Sequence, residues 1–362
     1  FVSLVISFQL GENSSGGSKH DFFVTKIYID TFKIDFSLGL EMFKAKGELH
    51  LPFFYILIAN LNKIFGDTLV KYFYLIISST IPLILYSALK KKFSQANIDH
   101  LFLLSLLVFL SPYFRSSAVW LTTDNLALLF FLLSINSFLK FEKSKDNFLI
   151  NAFFCFSFLI LASYVRYYYS VFFVFYFMMM QSKLNLKQNF YVILFNLICS
   201  VPFLFYLKFI LKDSNTSDAL HFVGFDFIFN TLVFASLFFF YFIPFLINRH
   251  GFEKIIEILN QKKKHIVIFI LIVVLLFQFY EIPNILFGGG IFYKISKLFN
   301  LNIFLIFSLF GFLFLYFFND NIFRNNLIFL SLIFGFPITT LFQKYYDPLI
   351  FIMILTLIDS KF

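Results

Sequence analysis

Long apolar runs separated by short polar stretches cover the chain from about residue 67 to its end. They lie at 68–89, 97–113, 121–140, 147–164, 167–182, 189–211, 226–248, 265–281, 299–318, 326–342 and 346–359. Most approach the ~20 residues that a helix needs to cross ~30 Å of hydrocarbon. The pattern predicts an all-α bundle of membrane-spanning helices.

Two further apolar segments precede these runs. The run Phe1–Leu10 is about half the length of a span, so we expect it to be the remnant of a first helix, which brings the total to about twelve. The segment Leu51–Gly66 is also short and contains Asn60 and Asn62. We therefore predict that it lies in the membrane interface and does not cross.

A long polar stretch separates Phe1–Leu10 from the later runs. It carries six titratable side chains, namely Glu12, His20, Asp21, Glu41, Glu48 and His50. Within it, Phe22–Lys46 fits an amphipathic surface helix only loosely. So many ionisable groups need an aqueous surface and indicate a functional loop. We predict one transmembrane domain over 1–362, with 1–10 as the helix remnant, 11–66 as an external loop with interfacial helices, and 67–362 as the remaining spans.

Composition excludes a soluble domain. Apolar residues make up 60% of the chain, charged residues only 14%, and the mean hydropathy is +0.85. The formal charge of +9 is an orientation signal, because no basic stripe is interleaved with exposed aromatic residues as nucleic-acid binding would require. Cys155 and Cys199 lie inside apolar runs, so we expect neither a disulfide nor a metal site from them.

The basic residues predict the orientation in the membrane. With Leu51–Gly66 as a non-crossing helix, most clusters after the long loop fall on one side, which the positive-inside rule makes cytoplasmic. These are Lys90 to Lys92, Lys140, Lys143, Lys145, Lys183, Lys187, Arg249 to Lys264, Arg324 and Lys361. The long loop is then external, facing the periplasm of a bacterial inner membrane or the lumen of the endoplasmic reticulum.

With this orientation, the other conspicuous polar residues fall at outer helix ends. They are Arg115, Asp124, Arg166, Asp218, His221, Lys294, Lys344 and Asp347. Ionisable groups at membrane depth usually face a cavity lined by protein. Asp124 and Arg166 each precede a full apolar run. The alternatives are that Arg166 reaches lipid phosphates and that Asp124 caps its helix together with Thr122 or Thr123.

These residue types suit sugar transfer from a lipid phosphate. A carboxylate can accept the proton of an acceptor hydroxyl, while Arg and Lys stabilise charge on a departing phosphate. No HExxH, GxSxG or nucleotide-binding glycine motif occurs. Glu48 and His50 supply only two of the three or four ligands that a metal needs, so we expect no cofactor, although a divalent metal stays an alternative.

The ordered landmarks resemble a known family, the multi-spanning GT-C glycosyltransferases, which use polyprenyl-phosphate sugars outside the membrane. The acidic motif of the first external loop is matched by KHDF, and the entry to an interfacial helix by HLPFFY. LSPYFRSSAVWLTTDNLALLFFLLS and ASYVRYYYSVFF are similar to later family segments. Within the superfamily, DALHFVGFDFIFN, GGGIFYKISKLF and FPITTLFQKYYDPL look like the dolichyl-phosphate-glucose-dependent alpha-1,2-glucosyltransferases.

The resemblance implies roles for particular residues. Asp21 would be the catalytic base, with an N-cap for a helix from Phe22 as the alternative. The family's second carboxylate would be missing or supplied by Glu12, Glu48 or Asp124, of which Asp124 is the second catalytic candidate. Arg166, Lys294 and Lys344 would bind the donor phosphate, and the other substrate-binding candidates are His50, Glu48, Tyr345, His221 and Arg115. The chain departs from the family pattern where His20-Asp21 replaces paired acids, where Leu51-Pro52 replaces a double proline, and where Lys344-Tyr345 replaces Arg-Tyr.

The function that follows is a membrane enzyme that transfers a sugar from a polyprenyl-phosphate carrier to a small or lipid-linked acceptor on the external face. Its partners would be the donor, the acceptor and the bilayer, without nucleic acid. A membrane transporter or lipid-linked sugar flippase is the main alternative, although the sequence shows neither an inverted repeat nor Gly/Pro-broken helices at matching places in two halves. A polysaccharide polymerase or ligase and a non-catalytic relic are further alternatives.

Overall fold

The computed structural model describes residues 1–14, 17–46, 51–144, 146, 148–206, 208, 226–247, 249–285, 288–317, 321–336 and 341–359. Within these ranges every regular element is a helix, and none is a strand. The chain divides into two compact units, residues 1–221 and 222–362. This division does not test the prediction of a single transmembrane domain, which stays a prediction.

The first unit contains eleven helices among its described residues. They are α1 (Val2–Leu10), α2 (Ser18–Ile34), α3 (Phe36–Lys46), α4 (Phe53–Phe65), α5 (Asp67–Lys92), α6 (Ile98–Leu106), α7 (Pro112–Trp120), α8 (Thr123–Lys143), α9 (Phe148–Val165), α10 (Phe172–Met180) and α11 (Leu186–Tyr206). Short 3₁₀ turns follow α6 at Leu107–Leu110 and precede α10 at Tyr167–Val171.

The second unit contains six helices among its described residues, followed or joined by turns. They are α12 (Phe227–Ile247), α13 (Arg249–Phe277), α14 (Gly290–Phe299), α15 (Asn302–Phe317), α16 (Ile322–Gly335) and α17 (Leu349–Thr356). A 3₁₀ turn at Gln343–Tyr345 precedes α17.

Five helices are long and apolar enough to cross a membrane, namely α5, α8, α9, α11 and α12. The number rises to six if the bent pair of α6 with its 3₁₀ turn and α7 counts as one span. These helices fit a multi-pass membrane protein. The predicted total of about twelve is not reached by this criterion, because helices such as α15 and α16 have 16 and 14 residues and α17 only 8.

The predicted span 97–113 is not one straight helix. Its helical part ends at Leu110, and α7 begins at Pro112 with a change of direction of 67°. Pro112 has no N–H to continue the earlier helix, and Ser111 starts the next one by accepting a hydrogen bond from Phe114 N at 3.2 Å. The run predicted to end at 113 therefore ends within three residues of that position, and the short helix α7 after it was not predicted.

The segment predicted as one loosely amphipathic helix, Phe22–Lys46, belongs to two helices. Asp35 has an extended backbone between α2 and α3, and its carboxylate accepts a hydrogen bond from Leu38 N at 2.8 Å. Rings of α2, α3 and α4 then form one core, in which Tyr28 lies 4.7 Å from Phe43 and 5.2 Å from Tyr55. The predicted interfacial helix Leu51–Gly66 corresponds to α4, whose 13 residues extend about 20 Å.

The helical hairpin of α8 and α9 forms the centre of the first unit. α5 packs on α8, and their contact includes the buried Asn125, whose amide donates to Ser78 Oγ at 3.1 Å and to the Phe114 carbonyl at 3.0 Å. Hydrogen bonds between helices satisfy polar groups that lipid cannot. Phe131 and Phe138 of α8 meet Tyr176 of α10 on the other side.

In the second unit, α12 is the central helix. α15 approaches it closely because Gly311 has no side chain, since a Cβ there would lie 1.8 Å from the Ala235 carbonyl oxygen. Ser308 Oγ donates to the Leu232 carbonyl at 2.9 Å in the same contact. Phe239 stacks against rings of α14 and α15, so aromatic side chains contribute to this core.

Candidate functional site

The structure brings two sequence-predicted site residues together. Arg166 Nη2 lies 2.8 Å from Asp124 Oδ1, and the two side chains are 20% and 18% exposed. Asp124 lies in the first turn of α8, and Arg166 directly follows α9. Because α8 and α9 form an antiparallel hairpin of membrane length, an ion pair at the open end of this hairpin links their start and finish.

A hydrogen-bonded turn holds Asp124 in place. Its Oδ2 accepts from Thr122 Oγ1 at 3.2 Å, and Thr122 Oγ1 lies 2.7 Å from Ser117 Oγ. Leu121 has a positive φ of 49°, which costs a non-glycine residue conformational energy and is often found at functional sites. The alternative was that Asp124 caps the helix together with Thr122 or Thr123. Thr122 occupies the N-cap position and Asp124 lies in the first turn, where a negative charge stabilises a helix start, so this alternative stays open.

Tyr74 of α5 binds the same turn through its hydroxyl group. Its buried hydroxyl donates to the Thr122 carbonyl and accepts from Leu126 N at 3.2 Å. Because the hydroxyl group bonds the residue before α8 and a residue of its first turn, Tyr74 orients the beginning of α8. The sequence analysis missed Tyr74, since a tyrosine within an apolar run is more often an interfacial anchor.

Arg166 has an extended backbone between α9 and the 3₁₀ turn that follows. The next three residues are tyrosines. Tyr168 and Tyr169 are buried, with ring centroids 4.7 Å apart, and the Tyr169 ring centroid lies 4.7 Å from that of Phe131. Tyr167 lines a cavity.

That cavity has a volume of about 470 Å³ and lies between α9, α10 and α11. Its wall is almost wholly apolar, with Ser163, Tyr164, Tyr167, Ser170, Asn196 and Ser200 as its main polar members. Arg166 lies between two lining residues, Tyr164 and Tyr167, in the chain. Asp21, Asp124 and Arg166 do not line this cavity.

α11 contains a proline beside the cavity. Pro202 has no N–H for the Ile198 carbonyl four residues earlier, and the Tyr164 hydroxyl donates to the neighbouring Cys199 carbonyl. Tyr164 thus joins α9 to α11 close to this proline.

Asp21 occupies the first turn of α2 and is half-buried. The helix begins at Ser18 with Gly17 as its N-cap, so Asp21 is not the N-cap of a helix from Phe22. The ring of Phe22 packs 5.8 Å from that of Trp120, at the end of α7. This contact brings the first turn of α2 against the segment that leads into Asp124.

A second ion pair anchors the N-terminal segment. Arg115 Nη2 lies 2.7 Å from Glu12 Oε2, and Arg115 Nε donates to Glu12 Oε1 at 2.9 Å. The Arg115 guanidinium, with help from Ser7 and Ser14, lowers the pKa of Glu12 from 4.5 to about 2, against a smaller opposing effect of burial. Trp120 Nε1 also donates to the Glu12 carbonyl at 2.7 Å.

Arg115 was predicted to bind substrate, and the structure shows it already engaged. Its guanidinium also donates to Ser3 Oγ at 3.3 Å and to Ser7 Oγ. Sequence reasoning missed the Glu12–Arg115 pair, because 103 positions separate the two residues.

The remaining predicted residues fall elsewhere. Lys294 is an exposed residue of α14, in the second unit. Lys344 and Tyr345 lie in the 3₁₀ turn before α17, and Lys344 Nζ is 5.8 Å from the ring centroid of Phe342 and 5.5 Å from that of Tyr345. Glu48, His50 and His221 lie outside the described residues, and the described part of the chain holds no group of three or more metal-ligating side chains.

Comparison with protein-family models, with curated proteins and with solved structures finds no match to this chain.

Proposed function

We propose that this protein is a membrane glycosyltransferase that takes a sugar from a polyprenyl-phosphate donor and transfers it to an acceptor on the external face. The observation that carries the proposal is the Asp124–Arg166 ion pair, at the end of a membrane-length helical hairpin and next in the chain to residues that line an apolar cavity.

Arg166 suits a phosphate ester at the membrane surface. A guanidinium binds phosphate through two parallel hydrogen bonds, and its charge persists at every physiological pH. Asp124 holds the guanidinium in place while the site is empty. A charged pair at a helix end within an apolar protein is costly to keep and is more often functional than structural.

The neighbouring cavity suits a hydrocarbon chain. Its volume of about 470 Å³ falls within the usual range of ligand sites, and its lining is mainly Phe, Leu and Ile. Each methylene moved from water into such a wall contributes ~0.8 kcal/mol. A lipid phosphate with its chain in the cavity would bring its head group toward Arg166.

The proposed reaction needs a base and a cation. The Asp21 carboxylate accepts the proton of the acceptor hydroxyl, whose oxygen bonds to the anomeric carbon. The bond from that carbon to the phosphate oxygen breaks, and its electron pair leaves with the polyprenyl phosphate. Arg166 stabilises the charge that grows on the phosphate. Arg115, bound to Glu12, has a structural role in this scheme.

The topology belongs to the proposal. Short helices such as α15 and α16 would join the five or six longer ones to give about twelve crossings, with α2 to α4 on the external side. Lys90 to Lys92 would then face the cytoplasm, as the positive-inside rule requires.

A transfer assay with purified protein tests the proposal. Wild type is offered labelled prenyl-phosphate glucose, mannose and arabinose, beside Asp21→Asn and the control Asp30→Asn, which alters another half-buried carboxylate of the same helix. We expect transfer from at least one donor, a loss of ~100-fold or more in Asp21→Asn, and little change in the control. Equal turnover by wild type and Asp21→Asn would remove Asp21 from the mechanism.

A transporter or flippase is the second candidate, and one observation favours it. The bend of 67° before Pro112 is a proline-broken helix pair of the kind that transporters use, which the sequence analysis did not foresee. No transfer with any donor, together with substrate-driven uptake into proteoliposomes, would support this candidate in place of the enzyme.

A further inference from the structure

The apolar run predicted as a span over 265–281 is part of a longer helix. α13 begins at Arg249, so the polar stretch before the run is helical and not a loop. The helix is kinked at Lys262, where φ is −111° and ψ is 15°. The kink separates a mixed polar and apolar first half from an apolar second half.

The first half of α13 has an exposed apolar face. Phe252, Ile256 and Leu259 are 58%, 44% and 40% exposed. Their spacing of four and three residues places them on one side of the helix. Ile258, on a different side, is buried within the unit, so the apolar face is separate from the packed one.

A polar face lies beside this apolar face. Glu253, Glu257 and Gln261 follow one another at intervals of four, and the Gln261 amide donates to Glu257 at 3.0 Å. Lys263 and Lys264 are exposed directly after the kink, while Lys262 lies 5.9 Å from the ring centroid of Phe317. The segment therefore presents apolar side chains, polar side chains and a basic end in different directions.

We propose that residues 249–261 lie in the head-group layer of the membrane and that anionic lipids hold them there through Lys263 and Lys264. Three observations select a lipid surface as the occupant of the apolar face. The helix continues through the kink into an apolar segment, the apolar face is exposed, and the charges nearest the apolar segment are positive.

Spin labels at adjacent positions test this placement. In protein with Cys155→Ala and Cys199→Ser, a nitroxide is attached at Ile256→Cys or, as the matched control, at Glu257→Cys, and the protein is reconstituted in phosphatidylcholine vesicles with phosphatidylglycerol. Collision with oxygen relative to a water-soluble nickel chelate should be severalfold higher at 256 than at 257. Equal ratios at the two positions would overturn the proposal. A protein partner that covers the apolar face in place of lipid would give this result.

A second part of the experiment tests the role of anionic lipid. In vesicles without phosphatidylglycerol the ratio at 256 should fall, and in Lys263→Gln/Lys264→Gln it should no longer respond to phosphatidylglycerol. Each lysine near an anionic surface should raise the equilibrium constant for binding to that surface roughly five-fold. Lys262 is left in place because it packs over Phe317, and gel filtration in detergent checks that the variant folds. A variant that is folded and still responds fully would contradict the electrostatic part.

Discussion

Two ion pairs in the first unit differ from the ordinary surface pair in their burial. The Asp124–Arg166 and Glu12–Arg115 side chains are 18–22% exposed, whereas those of Lys26–Asp30 on α2 are 45% and 42% exposed. An exposed pair contributes about 0–1 kcal/mol to stability, while loss of one partner from a sheltered pair leaves a charge without compensation. The sheltered pairs are therefore the sensitive ones.

The Asp124–Arg166 pair should act as a unit in transfer. Arg166→Ala and Asp124→Asn should each lower the transfer rate by roughly 100-fold, and the double variant should be little worse than either. The exposed pair supplies the matched cycle, since Lys26→Ala and Asp30→Asn should change the rate less than about three-fold. If the fold-losses of the two single variants multiply in the double variant, Asp124 and Arg166 act independently.

The Glu12–Arg115 pair should make the N-terminal segment sensitive to acid. The folded-state pKa of Glu12 is about 2 against 4.5 for the unfolded chain, so this pair stabilises the fold fully above pH ~5 and loses its effect as the pH falls toward 2. Glu12→Gln should lower the free energy of unfolding by roughly 1–3 kcal/mol at pH 7. The difference from wild type should shrink below pH 4 in thermal melts, and a constant difference would contradict the assignment.

The sequence was sufficient to identify Asp124 and Arg166 as candidate site residues. It was not sufficient to identify Glu12 as the partner of Arg115. A charged residue that opens or closes an apolar run is rare, so each was visible from its own surroundings. Pairing is a tertiary property. Nothing in the serine-rich stretch around Glu12 specifies a guanidinium 103 positions away.

Helices show where local signals are sufficient and where they fail. The runs that became α5, α8, α9, α11 and α12 were predicted within a few residues, because uninterrupted apolar sequence of that length has few other structures available. The short helix α7 and the start of α13 at Arg249 were both missed. Apolar length was the criterion, and neither a nine-residue helix with polar residues nor a charged helical turn meets it.

The cavity between α9 and α11 gives a test at this scale. Ser200→Phe fills part of the space, whereas Ile198→Phe alters a neighbouring position of α11 that is 61% exposed and does not line it. Ser200→Phe should raise the KM for a long-chain donor about ten-fold or more and spare a short-chain donor, because only the long chain needs the whole cavity. Equal effects of the two variants on both donors would assign the chain to another site.

At the scale of the whole molecule, membrane insertion follows from composition alone, but the number of crossings does not. Five or six helices meet the length requirement, and those of 8 to 16 residues reach about 12–24 Å, less than the hydrocarbon thickness. Charge bias can orient a chain only once its crossings are counted. The proposed mechanism therefore depends on which side of the membrane α2 lies.

Single cysteines would measure that side. In protein lacking Cys155 and Cys199, Lys19→Cys at the start of α2 and Lys90→Cys at the end of α5 are both exposed positions. A membrane-impermeant maleimide applied to intact cells should label position 19 and should reach position 90 only after the membrane is opened. Labelling of 90 but not 19 in intact cells would place Asp21 in the cytoplasm and end the proposed mechanism.

The chain contains one tryptophan, and its position makes it useful. The Trp120 indole donates to the Glu12 carbonyl, meets the ring of Phe22 and lies beneath Lys19 Nζ at 5.6 Å. Tryptophan emission, excited at wavelengths that tyrosine does not absorb, therefore originates where the N-terminal segment, α2 and α7 converge. A red shift on acidification that precedes global melting would signal release of that junction alone, without any dye or substitution.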